Sequence, residues 1–423
     1  MAYIKLDEIL RNLKANPIFR MSLGSKELFH SNFLEFLWDL DKSKFMEVIN
    51  DTLLPNGKEI VLKSESVFDR EKENFDICIH HLEIKIKKNG EQGKQTKDLY
   101  DLIIENKVKS IPRKDQLEEY EEKAKEKGNP VFLLLSLVTD FPCKTDLVAY
   151  NSPWIVIHYD KLKEAIEEHY KDVDEHNLKY ITDYCHFIEQ MHNLQDYMIQ
   201  DFDNQVYYDK EVLDEYKKLR IHDLYIKLRG SMFITRLKEK LEKDGIGATI
   251  HILPFNIQDN KNGKNKKRSF KYDDIRPWSK KNDGVHVFLD CTIQQGSGMI
   301  AAYVYKHRTN CDYIYEVAIQ GNQYRHGINS HDESDITLLK PNSSKHDKEE
   351  AQKLTKLWNA VSNYDPSFFE SIHDCKPTYP EKHYNKYAPE YVYKYVVLKE
   401  KEKVAELIEA FAKDIINIIP KLN

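Results

Sequence analysis

A run of strand patterns interrupted by one helix is the feature that most limits what this chain can fold into. The first runs alternate apolar and polar residues with period two, and residues 130–138 form a short apolar run typical of a buried strand. Residues 113–127 predict a charged amphipathic helix that Gly128 ends. The predicted strands are 67–70, 75–86, 99–108, 130–138 and 154–158. With helical patterns on either side, residues 1–200 predict a three-layer α/β domain.

Two further patterns complete this half of the chain. Apolar residues recur at helical spacing over residues 6–40, where Pro17 separates two helices, and again over 162–197. Residues 90–97 are polar and contain glycine, which predicts a loop.

The second half has a different texture. Residues 211–243 predict one or two amphipathic helices, and after Gly245 short strand patterns alternate with polar turns. Helical patterns return near 348–361 and 402–419. We therefore expect an α+β accessory domain over 211–423, built on an antiparallel sheet, with a role in substrate or partner recognition.

Composition excludes several classes of protein. Of the 423 residues, 41% are hydrophobic and 11% aromatic, which is typical of a globular chain and not of a disordered one. No apolar run reaches the roughly 18 to 20 residues that span a bilayer, and the N-terminus lacks the pattern of a secretory signal. The six cysteines form no C-x-x-C pair. We expect a cytoplasmic protein with reduced thiols and no membrane segment.

Three charged residues on apolar strands carry the strongest chemical signal. Asp76 stands in one strand pattern, and Glu105 and Lys107 stand two apart in the next, so the latter two share a face. Two converging carboxylates could hold Mg²⁺, and a neighbouring ammonium could orient an attacking water. Such residues also occur by chance in a chain that is 32% charged. Burying charge on an apolar strand without a role is costly, which favours the functional interpretation.

Two helical segments add candidates to this site. Gln116 and Tyr120 are four residues apart on the helix that follows, where an amide and a phenol can bind a phosphate or a metal-bound water. Taken alone, the pair is more often a solvated helix face. Glu27, His30 and Ser31 lie on an N-terminal helix, where a single histidine is more often a packing or capping residue than a ligand.

Together these segments resemble the PD-(D/E)XK nuclease superfamily, in particular its RecB-like branch with a Gln-x-x-x-Tyr motif and a bacterial family within it. The resemblance covers about residues 20–200 and rests on the segments Glu27-x-x-His30-Ser31, Arg70-Glu71 before Phe75-Asp76-Ile77, Ile104-Glu105-Asn106-Lys107 and Gln116-Leu117-x-x-Tyr120. It implies a restriction-endonuclease-like core, a mixed sheet flanked by helices. Two departures are Phe75 in place of a proline and a long gap between Asp76 and Glu105, which we assign to the loop around Gly90.

The resemblance also implies roles for individual residues. Asp76, Glu105 and the backbone carbonyl of Asn106 would bind Mg²⁺ or Mn²⁺, and Lys107 would position the water. Glu27 or His30 would complete the site from the first helix, and Glu71 is a further acidic candidate. Gln116 and Tyr120 would contact substrate phosphate or stabilise the active-site helix.

A basic segment in the second half is the candidate nucleic-acid interface. The net charge of -6 gives no overall basic field, so binding would depend on local patches. Residues 260–281 interleave basic and aromatic residues, and the candidates for phosphate contact are Lys264, Lys266, Lys267 and Arg268. A solvated loop explains the segment equally well. Residues 320–326 follow a strand and could contact a ligand or nucleic acid, but a turn with an exposed flank is the favoured interpretation.

These patterns lead to two functional hypotheses. The first is a metal-dependent nuclease that hydrolyses phosphodiester bonds, with DNA favoured over RNA and a role in bacterial genome defence suggested by the resemblance. The second is a catalytically silent protein of the same fold that binds nucleic acid or acts as a sensor. Oligomeric state, protein partners and sequence preference are left open.

Overall fold

The computed structural model describes residues 6–22, 26–53, 60, 65–86, 94–108, 114–138, 152–253, 256–259, 266–269, 275–279, 281–294, 297–306, 313–330, 384–385 and 388–422. The chain forms two units that alternate in sequence. One comprises Met1–Gln200 and Tyr216–Leu228, and the other comprises Asp201–Glu215 and Arg229–Asn423. Residues 216–228 thus group with the first unit.

The first unit contains seven α-helices, counted over the described residues up to 200. They are α1 (Leu6–Ala15), α2 (Pro17–Ser22), α3 (Lys26–Leu40), α4 (Lys42–Leu53), α5 (Lys114–Ala124), α6 (Tyr159–His169) and α7 (Glu175–Ile199). Pro17 is the first residue of α2, where its missing N–H costs nothing, and Asn16 Oδ1 accepts the Phe19 N–H at 2.9 Å as a cap. The predicted separation of two helices at Pro17 is confirmed.

One mixed sheet organises this unit. Its strands are β1 (Val67–Arg70), β2 (Ile77–Ile86), β3 (Lys94–Lys107), β4 (Val131–Ser136) and β5 (Trp154–His158), in the order β1-β2-β3-β4-β5. The first three are antiparallel, and β3, β4 and β5 are parallel. β4 is buried along almost its whole length, as its apolar run predicts for a strand with a parallel neighbour on each side.

The hairpin of β2 and β3 is longer than predicted. Lys94–Lys97 were expected in a loop, but β3 begins at Lys94 and pairs with β2 from Ile86↔Lys94 onward. Pairing with β2 gives these polar residues a strand conformation that their composition does not indicate. The described residues between Asp76 and Glu105 therefore lie mainly in these two paired strands, and Gly90 lies outside the described residues.

The second unit is built on a seven-stranded sheet of order β13-β14-β12-β11-β10-β9-β6. Neighbours are antiparallel except β6 and β9, which are parallel. Its strands are β6 (Thr249–Ile252), β9 (His286–Gln294), β10 (Ser297–Tyr305), β11 (Tyr313–Gln320), β12 (Gln323–Ser330), β13 (Tyr384–Asn385) and β14 (Ala388–Val397). A two-stranded sheet of β7 (Asn256–Asp259) and β8 (Lys266–Ser269) accompanies it.

Four helices complete the described chain: α8 (Lys210–Lys218), α9 (His222–Lys243), α10 (Ile275–Ser279) and α11 (Val404–Ile418). In the second unit, Phe233 and Leu237 of α9 and Phe411 of α11 pack on one face of the sheet to form its core. Gly230 permits this approach, because a Cβ there would lie 2.1 Å from Cys291 Sγ. The unit is α+β, as predicted.

One sequence interpretation in this unit is wrong. Residues 320–326 were expected to form a turn with an exposed flank, but only Gly321 and Asn322 turn, and β12 begins at Gln323. Tyr324 and His326 are buried, and both lie against Asp414 of α11, at 2.5 Å and 3.1 Å from its Oδ2. Polar residues of this segment are thus buried because they form hydrogen bonds with Asp414.

Two further expectations concern membranes and the C-terminal half. Within the described residues no helix is long and apolar enough to cross a membrane. The helix predicted near 348–361 lies outside the described residues.

Candidate active site

Glu105 and Lys107 stand at the C-terminal end of β3, on the same face of the strand. Their side chains are almost fully buried, with 1% of Glu105 and 5% of Lys107 exposed. Lys107 Nζ lies 2.5 Å from Glu105 Oε1. The two side chains lie on one face of β3, as the two-residue period of a strand predicts.

Asp76 reaches the same end of the sheet from the neighbouring strand. β2 begins at Ile77, which pairs with Ile104, so β3 runs past the start of β2 from Glu105 onward. Asp76 Oδ2 accepts the backbone N–H of Asn106 at 2.6 Å, where a β2 partner would otherwise bind. The structure thus brings Asp76 next to the residue that separates Glu105 from Lys107.

A turn with unusual backbone angles delivers Asp76 to this position. Glu71, Glu73 and Asn74 have φ angles of 57°, 54° and 71°, in the left-handed region that non-glycine residues seldom adopt. Glu71 N–H donates to the Asp76 carbonyl at 3.3 Å, which closes the turn. Such strain persists only where the surrounding structure holds it, and it is often found near functional sites.

Phe75, the residue in the place of the family's proline, is buried between two tyrosines. Its ring centroid lies 5.2 Å from that of Tyr120 and 6.0 Å from that of Tyr100, edge to face in both cases. Edge-to-face aromatic pairs of this kind are favourable. The substitution thus anchors the residue before Asp76 against the helix that carries Gln116 and Tyr120.

Gln116 connects α5 to Glu105. Its Nε2 donates to Glu105 Oε1 at 3.0 Å and to the Tyr120 hydroxyl at 2.9 Å, so the two residues share a face as their spacing predicts. Burial and the nearby negative charge of Glu105 raise the pKa of Tyr120 to about 12. Tyr120 is therefore protonated at neutral pH and keeps a hydroxyl proton to donate.

His30 lies on a different side of the sheet. It is buried among aromatic rings: its Nδ1 is 3.0 Å from the Tyr184 hydroxyl, and its ring stacks on Phe187 at 5.4 Å. Its ring also contacts the edge of Tyr159 at 5.6 Å. These described contacts are those of a packing residue, and the assignment of His30 as a metal ligand or catalytic group stays a prediction. The side chain of Glu27 lies outside the described residues, and Glu71 is an exposed turn residue.

Two comparisons with known proteins bear on this site. Residues 18–186 match the family model described as PD-(D/E)XK nuclease superfamily. This segment, which is less than half of the chain, is similar to that superfamily, and the resemblance seen in the sequence is confirmed over these residues. No curated protein matches the chain. The similarity agrees with the mixed sheet flanked by helices in the first unit.

PD-(D/E)XK proteins usually use divalent metals, and the donors at this end of the sheet fit one. In a strand, the N–H and C=O of one residue point to the same side, so the Asn106 carbonyl faces the side on which Asp76 lies. Two carboxylates and a carbonyl are hard oxygen donors, which Mg²⁺ and Mn²⁺ prefer. The described residues contain no group of three or more His, Cys, Asp or Glu side chains that could hold a metal. Mg²⁺ sites commonly use one or two carboxylates, so this donor set suffices.

Sequence reasoning missed two parts of the site. Tyr159 of α6 and Ser31 of α3 both bind the Asn106 side chain, each at 2.9 Å. Ser31 stood in the quoted family segment without a role, and no local pattern marks Tyr159. Outside the site, sequence reasoning also missed a network in which Lys72 and His80 bind Asp69 of β1 and Asp98 of β3.

The predicted basic interface is only partly within the described chain. Lys264 lies outside it, and Lys266, Lys267 and Arg268 belong to β8, whose side chains are not described. The sequence left a solvated loop and a nucleic-acid contact equally open for this segment; Lys266–Ser269 form a strand that pairs with Asn256–Asp259. Their role in phosphate binding stays a prediction.

Proposed function

We propose that this protein is a metal-dependent nuclease that hydrolyses phosphodiester bonds in DNA. The observation that carries the proposal is the convergence of Asp76 and Glu105 where β2 has ended and β3 continues. Asp76 accepts the N–H of the residue directly after Glu105, and Lys107 lies 2.5 Å from Glu105. The similarity of residues 18–186 to the PD-(D/E)XK nuclease superfamily supports the same reaction.

Asp76, Glu105 and the Asn106 carbonyl would hold the divalent ion, with Mg²⁺ or Mn²⁺ as the candidates. When bound, such an ion lowers the pKa of a coordinated water and stabilises negative charge on the phosphate. Glu105 is almost fully buried, so its interaction with a bound cation is screened little by solvent.

Lys107 would orient the attacking water and stabilise the charge that develops during attack. Its ammonium is held by Glu105 and the residue is 5% exposed, so the side chain cannot explore solvent as that of a surface lysine does. A donor fixed in this way loses little entropy when the transition state forms, and such fixed donors are effective in catalysis.

Gln116 and Tyr120 would keep Glu105 in place and contact the substrate. Gln116 uses one amide hydrogen for Glu105 and the other for Tyr120. The protonated Tyr120 can donate its hydroxyl hydrogen to a phosphate oxygen. We assign to the second unit a role in substrate or partner recognition, with the Lys264 to Arg268 segment as its candidate contact.

A cleavage assay on the full chain tests this proposal. Linear, circular and single-stranded DNA and single-stranded RNA would be incubated with the purified protein and Mg²⁺, Mn²⁺ or a chelator. Asp76→Asn should reduce DNA cleavage by at least about a hundredfold, because several kcal/mol of metal-dependent stabilisation are lost. Asp101→Asn is the matched control, since Asp101 pairs with His81 at 2.8 Å elsewhere on the same sheet. Its cleavage rate should remain near that of the wild type.

The substrates and metals separate the alternatives. Cleavage of RNA but not DNA would change the proposed substrate class, while the proposed reaction, phosphodiester hydrolysis, would stand. If the wild type bound nucleic acid but cleaved none with either metal, a catalytically silent binding or sensor protein would be the better interpretation.

A further inference from the structure

Asn106, between the two candidate catalytic residues, is fixed by its side chain from the opposite face of β3. The residue is fully buried. Its Nδ2 donates to Ser31 Oγ at 2.9 Å, and its Oδ1 accepts the Tyr159 hydroxyl at 2.9 Å. Ser31 belongs to α3 and Tyr159 to α6, so the amide joins the end of β3 to two separate helices.

The backbone of the same residue serves the candidate metal site. Its N–H binds Asp76 Oδ2 at 2.6 Å, and its carbonyl faces the same side. On the other edge of β3, the Lys107 carbonyl accepts the Leu137 N–H at 2.9 Å, which holds the strand end against the chain that follows β4. One residue therefore links a buried polar cluster in the helical layer to the orientation of Asp76.

We propose that Asn106 is a positioning residue, and that Ser31 and Tyr159 set its backbone for metal binding by holding its amide. This inference rests on the proposed nuclease function. An amide suits both partners, because it offers a donor to Ser31 Oγ and an acceptor to the Tyr159 hydroxyl. An aspartate would offer oxygens at both ends and add negative charge beside Asp76 and Glu105. A leucine would remove both hydrogen bonds.

His30 supports this arrangement through Tyr159. The two rings meet edge to face at 5.6 Å, and His30 is itself held by Tyr184 and Phe187. The Tyr159 ring is thereby confined before its hydroxyl reaches Asn106. His30 of α3 thus supports the tyrosine that holds Asn106.

The test is Tyr159→Phe, which removes the hydroxyl and keeps the ring. Tyr170→Phe is the matched control: Tyr170 directly follows α6, is fully buried, and donates its hydroxyl to the Leu37 carbonyl at 2.7 Å. Both variants should lower the thermal midpoint by a similar amount, about 2–4 °C for a loss of this size. Calorimetric titration of the metal-free protein with Mn²⁺ should give a Kd about tenfold higher for Tyr159→Phe only, the effect expected when a ligand loses its support.

Kinetics provide the second readout. Tyr159→Phe should lower kcat for DNA cleavage by about tenfold and leave KM for DNA nearly unchanged, since DNA contacts are not altered. Equal Mn²⁺ affinity and equal kcat in Tyr159→Phe and Tyr170→Phe would overturn this inference and leave the nuclease intact. A wild type that neither binds Mn²⁺ nor cleaves would overturn both. Should Tyr159→Phe not fold, Ser31→Ala tests the same contact from α3 with the same expected tenfold loss of affinity.

Discussion

Lys72 and Lys107 of the first unit are both bound to carboxylates, and the difference between their settings separates a structural network from a site. Lys72 lies 3.1 Å from Asp69 on β1 and 3.0 Å from Asp98 on β3, and His80 of β2 binds the same two carboxylates at 2.8 and 2.7 Å. This network joins three strands across the hairpin and is partly exposed to solvent. Cross-strand pairs of this kind stabilise a sheet.

Lys107 has the opposite setting. Its partner Glu105 stands two residues earlier on the same strand, so the ion pair joins no separate strands, and both groups are almost fully buried. Burying two charges carries a desolvation cost, and the attraction within such a pair often does not exceed that cost, so the pair adds little to the free energy of unfolding. Short ion-pair distances therefore do not distinguish the candidate site from a structural network. The candidate site is distinguished by buried charged groups whose ion pair does not connect separate strands.

The largest expected effect is on the rate of DNA cleavage, and it is measured by replacing each of the two lysines with glutamine in a separate variant. Lys107→Gln keeps an N–H donor to Glu105 but loses the positive charge, and cleavage should fall by roughly two to four orders of magnitude. Lys72→Gln removes the same charge from the structural network and should leave the cleavage rate within about threefold, because Lys72 binds Asp69, Asp98 and His80 and its partly exposed charge is screened by salt. Single-turnover rates at saturating Mg²⁺ measure both.

Equal losses in the two variants would break the comparison and make Lys107 an ordinary ion-pair partner. A Lys107→Gln protein that fails to fold would lead to the same conclusion, and circular dichroism separates that outcome from a folded, inactive one.

The next effect is on stability and its pH dependence. Burial alone would raise the pKa of Asp69 and of Asp98, but the hydrogen bonds from His80 and Lys72 and the charges of those groups lower both below the usual 3.8. Burial would lower the pKa of Lys72, but its bonds to Asp98 and Asp69 raise it above 10.5. Lys72→Gln should lower the free energy of unfolding by about 1 kcal/mol at neutral pH, the scale of a partly exposed pair.

The sign of the pH dependence follows from these shifts. Lowered carboxyl pKa values stabilise the fold above the unfolded value of 3.8 and lose that effect as pH falls through the folded values. The raised pKa of Lys72 stabilises below 10.5 and loses its effect as pH rises further. Urea titrations of wild type and Lys72→Gln should therefore differ by a constant amount between about pH 5 and 9 and converge below about pH 3. A difference that persists at pH 2 would assign the stability to packing of the lysine stem.

Whether a contact in the site could be predicted from the sequence depends on how far apart its residues are along the chain. Glu105 with Lys107 and Gln116 with Tyr120 are set by local periodicity, so their shared faces were predictable. The contacts of Asn106 with Ser31 and Tyr159 join residues 75 and 53 positions apart, and no local pattern encodes them. Lys94–Lys97 form a strand only because β2 lies beside them. Tyr324 and His326 are buried because Asp414 of α11 meets them.

The smallest effect concerns the turn that joins the Lys72 network to Asp76. Glu71 has a φ of 57°, which costs a non-glycine residue about 1 kcal/mol and costs glycine almost nothing. Glu71→Gly removes this strain but increases the freedom of the unfolded chain by a similar amount, so its net change should be below about 0.5 kcal/mol. Glu71→Ala keeps the strain, so Glu71→Gly should be more stable than Glu71→Ala by up to about 1 kcal/mol in chemical denaturation.

Because Glu71 is exposed and positions Asp76 through its backbone N–H, both variants should cleave DNA at nearly the wild-type rate. A folded Glu71→Gly protein with cleavage reduced by a hundredfold would place this carboxylate in the site and extend the metal-binding group into the turn.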